Sequence, residues 1–89
     1  MRRLMSTRRR IPLDRTEDYA ALWSAVRDAA EAVGVHAWRF RAKDRDDIYM
    51  EFLEASDPEP LADTGLGAAR DALDRAFVPE RSDEWEEAP

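Results

Sequence analysis

The sequence contains no cysteine and only one histidine among its 89 residues. Without cysteine the chain cannot form a disulfide, and with a single imidazole it lacks the ligands of a structural zinc site. A chain of this length buries only about 60 to 65% of the surface that it exposes when unfolded, so its core is thin. Contact with a partner chain is therefore the remaining source of buried area.

The sequence also lacks long hydrophobic runs. No stretch approaches the roughly 18 apolar residues that a membrane span needs, and the basic start MRRLMSTRRRIP is not followed by the apolar segment of a signal peptide. We therefore expect a cytoplasmic protein that does not contact a membrane. With 44% hydrophobic and 38% charged residues, the composition is that of a folded globular chain.

Two segments have the hydrophobic periodicity of amphipathic helices. The first spans residues 14 to 33 and ends at Gly34, because glycine adopts the left-handed conformation of a helix terminus without strain. The second spans about residues 66 to 77 and ends before Pro79. The apolar stripe of the first helix consists of Tyr19, Leu22, Trp23, Val26, Ala30 and Val33.

Three further segments have the features of β-strands. Residues 35 to 42 and 48 to 55 alternate apolar and charged groups on either side of the stretch KDRDD, which predicts a β-hairpin. Residues 3 to 11 have no helical period and end at Pro12, which predicts a first strand. The predicted fold is α+β and ferredoxin-like, in the order βαββα, with a three-stranded antiparallel sheet of order 1-3-2 and both helices on one face.

The domain is predicted to span residues 1–78, and residues 79–89 are interpreted as an acidic C-terminal tail. Trp85 is the only large apolar group of this tail, and acidic residues flank it on both sides. Two interpretations remain open. The tail is disordered, or it places Trp85 as an aromatic anchor on a basic surface of its own chain or of a neighbour.

The alternation within the hairpin indicates which side chains share a face. Successive side chains of a strand point to opposite sides, so a register in which paired residue numbers sum to 90 or 92 groups Trp38 and Phe40 with Met50 and Phe52. We expect this apolar group to lie beneath the helices, with a loop of three or five residues, or a bulge, between the strands. The outer face of the sheet would then carry Arg8, Arg10, Arg39, Arg41, Tyr49, Glu51 and Leu53.

This arginine-rich outer face is the strongest candidate site. Its four guanidinium groups could hold a small carboxylate or phosphate ligand. Alternatively, Arg39 or Arg41 pairs with Glu51 across the strands and the others contact a partner chain, which is the favoured interpretation. Arg9 falls on the core side of the first strand, where we expect its side chain to extend toward the edge.

Other motifs carry weaker signals. His36 is expected at the edge of the core, and no serine has the context of a catalytic triad, so no catalytic residue is predicted. The aspartates of the hairpin loop lack the glycine and the glutamate of a calcium loop, and the sequence predicts neither a metal ion nor another cofactor. Nucleic-acid binding is disfavoured because the net charge is −6 and the rings and arginines of AWRFR lie on opposite faces.

The run YAALWSAVRDAAEAVGVHAWRF, followed by IYMEFLEAS, resembles the ferredoxin-like chains of the dimeric α/β-barrel superfamily. In those chains a glycine-terminated helix with an aromatic and aliphatic stripe is followed by a strand similar to YMEFLE. The resemblance covers residues 3 to 77 and implies that two open sheet faces pack together and enclose a space. Some members are cofactor-free monooxygenases of polycyclic aromatics, some bind haem, and many have no known activity. No catalytic residue of those members carries over to this chain.

These observations predict a small binding or assembly module that forms a homodimer or other oligomer through its open sheet face. The alternative is a cofactor-independent enzyme of the monooxygenase type, acting on a small aromatic substrate in the space that a dimer encloses. A deep pocket with a polar group directed into it would favour the enzyme, and a filled, ion-paired interface would favour the assembly module.

Overall fold

The computed structural model describes all 89 residues and contains two α-helices and four β-strands. In chain order the elements are β1 (Arg3–Arg10), α1 (Thr16–Ala32), β2 (His36–Arg41), β3 (Ile48–Ala55), α2 (Thr64–Ala76) and β4 (Arg81–Glu86). Short 3-10 turns precede the two helices, at Leu13–Arg15 and Glu59–Ala62. Neither helix is long and apolar enough to cross a membrane.

The four strands form one antiparallel sheet in the order β2-β3-β1-β4. The α+β class and the 1-3-2 order of the first three strands are confirmed, whereas the predicted number of three strands is wrong. Residues 81–86, which the sequence analysis assigned to an acidic tail, pair with the free edge of β1. Backbone hydrogen bonds of 2.9 Å extend this pairing at both ends, from Glu80 N–H to Arg8 O and from Glu87 N–H to Arg2 O.

Strand β4 has no apolar alternation. Backbone hydrogen bonds and ion pairs hold it against β1. All of its residues except Asp83 are exposed. Arg3 and Glu86 lie opposite each other in the β1–β4 register, and their side chains form an ion pair of 3.0 Å. A cross-strand pair of opposite charges contributes roughly 0.2 to 1 kcal/mol. An arginine-rich strand and an acidic strand therefore pair without a hydrophobic pattern that the sequence could reveal.

The helices begin and end where local chemistry permits. Gly34, which follows α1, has a φ of 78°, as the predicted helix stop requires. Val35 N–H then donates to Ala30 O at 2.9 Å and satisfies a terminal carbonyl of the helix. Helix α2 begins two residues earlier than predicted because the Asp63 carboxylate caps it, accepting a hydrogen bond of 3.0 Å from Leu66 N–H.

Both helices cover the same face of the sheet, and the core lies between them and strands β1 and β3. Aromatic and aliphatic side chains of the two helices pack there against the middle of the sheet. The buried cluster includes Tyr19, Trp23, Val26 and Ala30 of α1, Leu66 and Leu73 of α2, and Tyr49, Leu53 and Ala55 of β3.

The β2–β3 hairpin has one of the two predicted registers. Trp38 lies opposite Phe52, and paired residue numbers sum to 90 along the ladder. The connecting loop, residues 43–47, has five residues and is closed by a hydrogen bond of 2.9 Å from Ala42 N–H to Ile48 O. The register and the odd loop length therefore follow from the alternation of the sequence.

The orientation of the hairpin is the reverse of the predicted one. Tyr49, Glu51 and Leu53 lie beneath the helices and are buried, whereas Trp38 and Phe40 lie on the uncovered face with 41% and 59% of their surface exposed. The prediction that the rings of β2 lie beneath the helices was wrong. The physical reason is that Glu51 has hydrogen-bond partners on the covered side, the Tyr19 hydroxyl of α1 and the guanidinium of Arg9 in β1.

Candidate functional site

The uncovered face of the sheet carries a group of aromatic and apolar side chains. Trp38 and Phe40 of β2 lie directly opposite Phe52 and Met50 of β3. The Phe40 and Phe52 rings meet edge to face with centroids 5.9 Å apart, and the rings of His36 and Trp38 stack at 5.8 Å. We call this group, with Trp85 of β4, the aromatic face; its members are His36, Trp38, Phe40, Met50, Phe52 and Trp85.

Polar residues of β1 and β4 complete the uncovered face. The Trp85 indole N–H donates to Ser6 Oγ at 2.9 Å, which fixes this ring against β1. Arg8 and Arg10 both pair with Glu80, at 3.2 and 3.3 Å. The hydrogen bond from Arg8, together with the bond and charge of Arg10, lowers the pKa of Glu80. The aromatic group is therefore bordered by paired charges.

The covered face holds a buried polar cluster, formed by Arg9, Tyr19 and Glu51. Glu51 Oε2 accepts two hydrogen bonds of 2.7 Å, one from Arg9 Nε and one from the Tyr19 hydroxyl. Arg9 also donates to Phe77 O at 2.7 Å and to Asp74 Oδ1 at 2.8 Å. Arg9 and Glu51 are only 3% and 5% exposed, so each charge depends on these partners.

The electrostatics of this cluster favour a charged Arg9 and a neutral Tyr19. Burial raises the pKa of the Tyr19 hydroxyl, and the neighbouring Glu51 carboxylate raises it further. Burial alone lowers the pKa of Arg9, but the hydrogen bonds and charges of Glu51 and Asp74 outweigh that effect, so its pKa is raised. Tyr19 therefore acts as a permanent hydrogen-bond donor to Glu51.

The seven residues of the predicted arginine-rich face do not form one surface. Arg8 and Arg10 lie on the uncovered face. The other five belong to the covered side. Tyr49, Glu51 and Leu53 are buried there, and Arg39 and Arg41 lie on the edge strand β2. The four guanidinium groups thus do not converge on a common anion.

The predicted pairing of Arg39 or Arg41 with Glu51 also takes a different form. Arg39 lies opposite Glu51 in the register, but its guanidinium stacks over the rings of Tyr19 and Tyr49, 5.2 and 5.8 Å from their centroids. Glu51 is bound instead by Arg9, which the sequence analysis placed on the core side but expected at the edge. The signal for this pair was present, because a buried arginine needs a carboxylate.

Little open space remains around the buried polar cluster. A cavity beside Thr7, Trp23 and Glu51 measures about 10 Å³, roughly the space of one water molecule. His36, the single histidine, lies on the uncovered face stacked on Trp38. No group of three or more His, Asp or Glu side chains is arranged to hold a metal ion.

No family model matches the chain, and no curated protein matches it. Solved structures, however, match its fold over nearly the whole length. A conserved protein of unknown function from Bacteroides thetaiotaomicron has a TM-score of 0.80 at 12% identity, with 97% of each chain covered.

Two other similar structures carry functional names. A variant of SnoaB, a cofactor-independent oxygenase from Streptomyces nogalater, has a TM-score of 0.77 at 15% identity, covering 99% of this chain and 94% of SnoaB. An antibiotic biosynthesis monooxygenase has a TM-score of 0.73 at 9% identity, with 100% of each chain covered. These neighbours are ferredoxin-like proteins of the dimeric α/β-barrel type, so the resemblance inferred from the sequence is confirmed at the level of the fold.

Proposed function

We propose that this protein is a self-associating module that forms a homodimer through its aromatic face. The observation that carries the proposal is the exposure of Trp38 and Phe40, which lie side by side with Met50 and Phe52 on a sheet face that no helix covers. A contiguous apolar patch of this kind on a small protein is typical of an interaction site. A second copy of the same face would remove these rings from water.

The composition of the face agrees with that of a protein–protein interface. Aromatic residues and methionine are enriched at the centres of interfaces, and polar groups form their rims. Here the rings occupy β2 and β3, whereas Arg8 and Glu80 lie toward the β4 edge as an ion pair. Trp85 brings an aromatic group to that edge and remains half-exposed, at 52%. We propose that it contributes to the same interface.

The solved structures support this arrangement through their fold. In the dimeric α/β-barrel superfamily, which the sequence resembles, open sheet faces pack together. The chain has four antiparallel strands, one side of which is covered by helices and the other free. A free sheet face with aromatic side chains is the surface that such packing requires.

The proposal is tested by placing a charge in the aromatic face. Phe40→Glu should raise the dimer dissociation constant at least about 30-fold, because a central aromatic residue of an interface contributes about 2 kcal/mol or more. Sedimentation over a concentration series measures this constant. Leu13→Glu is the matched control, since Leu13 is 67% exposed but lies in the turn before α1.

The control should leave the dissociation constant within about twofold of the wild-type value. Circular dichroism should show that both variants keep the fold. A wild-type protein that sediments as a monomer at all concentrations, or equal effects of the two substitutions, would contradict the proposed dimer.

A second candidate function is cofactor-independent oxidation of a small aromatic substrate. The observation that favours it is the match to SnoaB over 99% of this chain. Oxygen uptake in the presence of an electron-rich phenolic anthracene measures this activity, and the wild type should exceed the rate in buffer. The same measurement on the Phe40→Glu variant shows whether the activity needs the dimer. Loss of oxygen uptake together with loss of the dimer would place the substrate in the space between the two sheets. Uptake at the buffer rate would remove this candidate.

A further inference from the structure

We propose that a cleft at one end of the sheet binds a small monocarboxylate that carries an apolar group. The cleft lies between the end of the β1–β4 pair and the segment formed by the 3-10 turn Glu59–Ala62 and α2, and it measures about 230 Å³. This cleft is far larger than the cavity of about 10 Å³ beside Glu51. Trp85, a member of the aromatic face, also lines the cleft, but the proposed ligand needs only one copy of the chain.

The cleft contains an arginine that has no acidic partner. Arg70 of α2 lines it, is half-buried, and forms no ion pair, although the chain has 20 acidic residues. Arg75, five residues later on the same helix, also forms no ion pair, but it is exposed to water. A guanidinium that is partly withdrawn from water and unpaired is a favourable donor for a carboxylate, because charge-assisted hydrogen bonds are about twice as strong as neutral ones.

A second guanidinium lines the same cleft and is only partly satisfied. Arg3 NH2 pairs with Glu86 Oε1 at 3.0 Å. Its Nε, by contrast, is buried and has no hydrogen-bond partner. A buried donor without a partner is costly, and a carboxylate has two oxygens with which to accept bonds from different donors. Because both arginines line the cleft, one carboxylate oxygen would accept from the guanidinium of Arg3 and the other from that of Arg70.

The remaining walls indicate what the carboxylate is attached to. Met5, Pro58 and Leu61 supply apolar surface in the cleft. Ligand pockets for drug-sized molecules measure about 300 to 1,000 Å³, so a cleft of this size fits an acid of about ten non-hydrogen atoms, such as phenylacetate. Glu84 also lines the cleft, and its charge opposes a second carboxylate. The ligand class is therefore an apolar monocarboxylate and not a dicarboxylate.

The experiment uses phenylacetate as the probe and compares three variants of the full chain. Arg70→Gln should weaken binding at least about tenfold, since a charged donor is lost. Arg75→Gln, on the same helix, should leave binding within about twofold. Glu84→Gln should tighten binding about threefold, because it removes a repulsive charge and the one carboxylate of the cleft that could attract Arg70 in the free protein. Backbone amide shifts in an NMR titration report affinity and location together.

Two further probes test the chemistry of the ligand. Phenylacetamide has the same shape without the charge, and acetate has the charge without the ring; both should bind at least about tenfold more weakly than phenylacetate. The shifts should centre on Met5, Leu61 and Glu84. The proposal would be overturned by the absence of saturable phenylacetate binding or by equal effects of the Arg70 and Arg75 substitutions. Equal binding of phenylacetamide, or shifts centred on Trp38 and Phe40, would also overturn it. Because the cleft lies within one chain, Phe40→Glu should bind phenylacetate as the wild type does, which separates this site from the proposed dimer.

Discussion

The two faces of the sheet differ in how their charged and aromatic side chains are accommodated. On the covered face β1 and β3 contribute the charged residues Arg9 and Glu51 to the core, and both are buried. On the uncovered face β2 carries Trp38 and Phe40, both substantially exposed. The covered face thus combines an apolar core with two buried charges, Arg9 and Glu51, for which the elements around it supply hydrogen-bond partners.

The helices supply hydrogen-bond partners to the buried charged groups of the covered face. Tyr19 of α1 donates its hydroxyl to Glu51, and Asp74 of α2 accepts from Arg9. The carbonyl of Phe77 accepts a further bond from Arg9 as the chain leaves α2. A buried ion pair is not by itself evidence of stability, since desolvation opposes its attraction, but removal of one member leaves the other charged and uncompensated.

The largest expected effect comes from breaking this pair. Glu51→Ala should lower the free energy of unfolding by about 3 to 5 kcal/mol, because Arg9 would remain buried without its main partner. Glu54→Ala is the matched control on the same strand. Glu54 lies on the opposite face, where its pair with Arg2 is 3.5 Å long and Arg2 is 57% exposed, so its loss should cost at most about 1 kcal/mol. Urea denaturation measures both values, and similar losses would show that the two faces do not differ.

A second comparison uses two neighbouring apolar residues of β3. Leu53→Ala should destabilise the protein by about 2 to 5 kcal/mol at any protein concentration, because Leu53 is 5% exposed in the core beneath the helices. Phe52→Ala, on the aromatic face, should cost less in dilute protein. Its cost should rise with protein concentration, since association stabilises only the wild type by mass action. A Phe52→Ala effect that is independent of concentration would contradict the role of this face in self-association.

The hairpin shows what alternation can and cannot predict. The sequence predicts a register in which Trp38 meets Phe52, since a slip by one residue would place an aromatic ring opposite a carboxylate. It does not predict which side is covered, because β3 carries apolar groups on both faces, Tyr49 and Leu53 on one and Met50 on the other. The single charge of Glu51 decided the interpretation, and the structure pairs that charge inside.

The first and last strands differ in how much the sequence reveals. The alternation of β1 places Arg9 on the core side, and a buried guanidinium requires a carboxylate, which points to an acidic residue on the same face. Glu51 provides that carboxylate. Strand β4 carries no comparable signal, because its pairing depends on backbone hydrogen bonds to β1 and on ion pairs such as Arg3–Glu86. A strand stabilised by charge on an edge has the composition of a solvated tail.

The smallest expected effect concerns the hydrogen bond from Tyr19 to Glu51. Tyr19→Phe should cost about 1.5 to 3 kcal/mol at pH 8, the range for hydrogen bonds to charged groups. Burial and the charge of Glu51 raise the pKa of Tyr19 in the folded protein above its ordinary value of 10.0. The contribution of the hydroxyl is therefore fully present below about pH 10 and declines at higher pH, where the unfolded chain loses this proton and the folded chain keeps it.

The difference between the wild type and Tyr19→Phe should consequently shrink above pH 10, by about 1.4 kcal/mol for each pH unit. Urea denaturation of both proteins at pH 8, 9, 10 and 11 measures this difference, and its subtraction at each pH cancels the titration of all other groups. A difference that stays constant to pH 11 would mean that Tyr19 ionises as readily in the folded protein as in the unfolded chain. The covered face would then be accessible to water, and its contrast with the aromatic face would lose its physical basis.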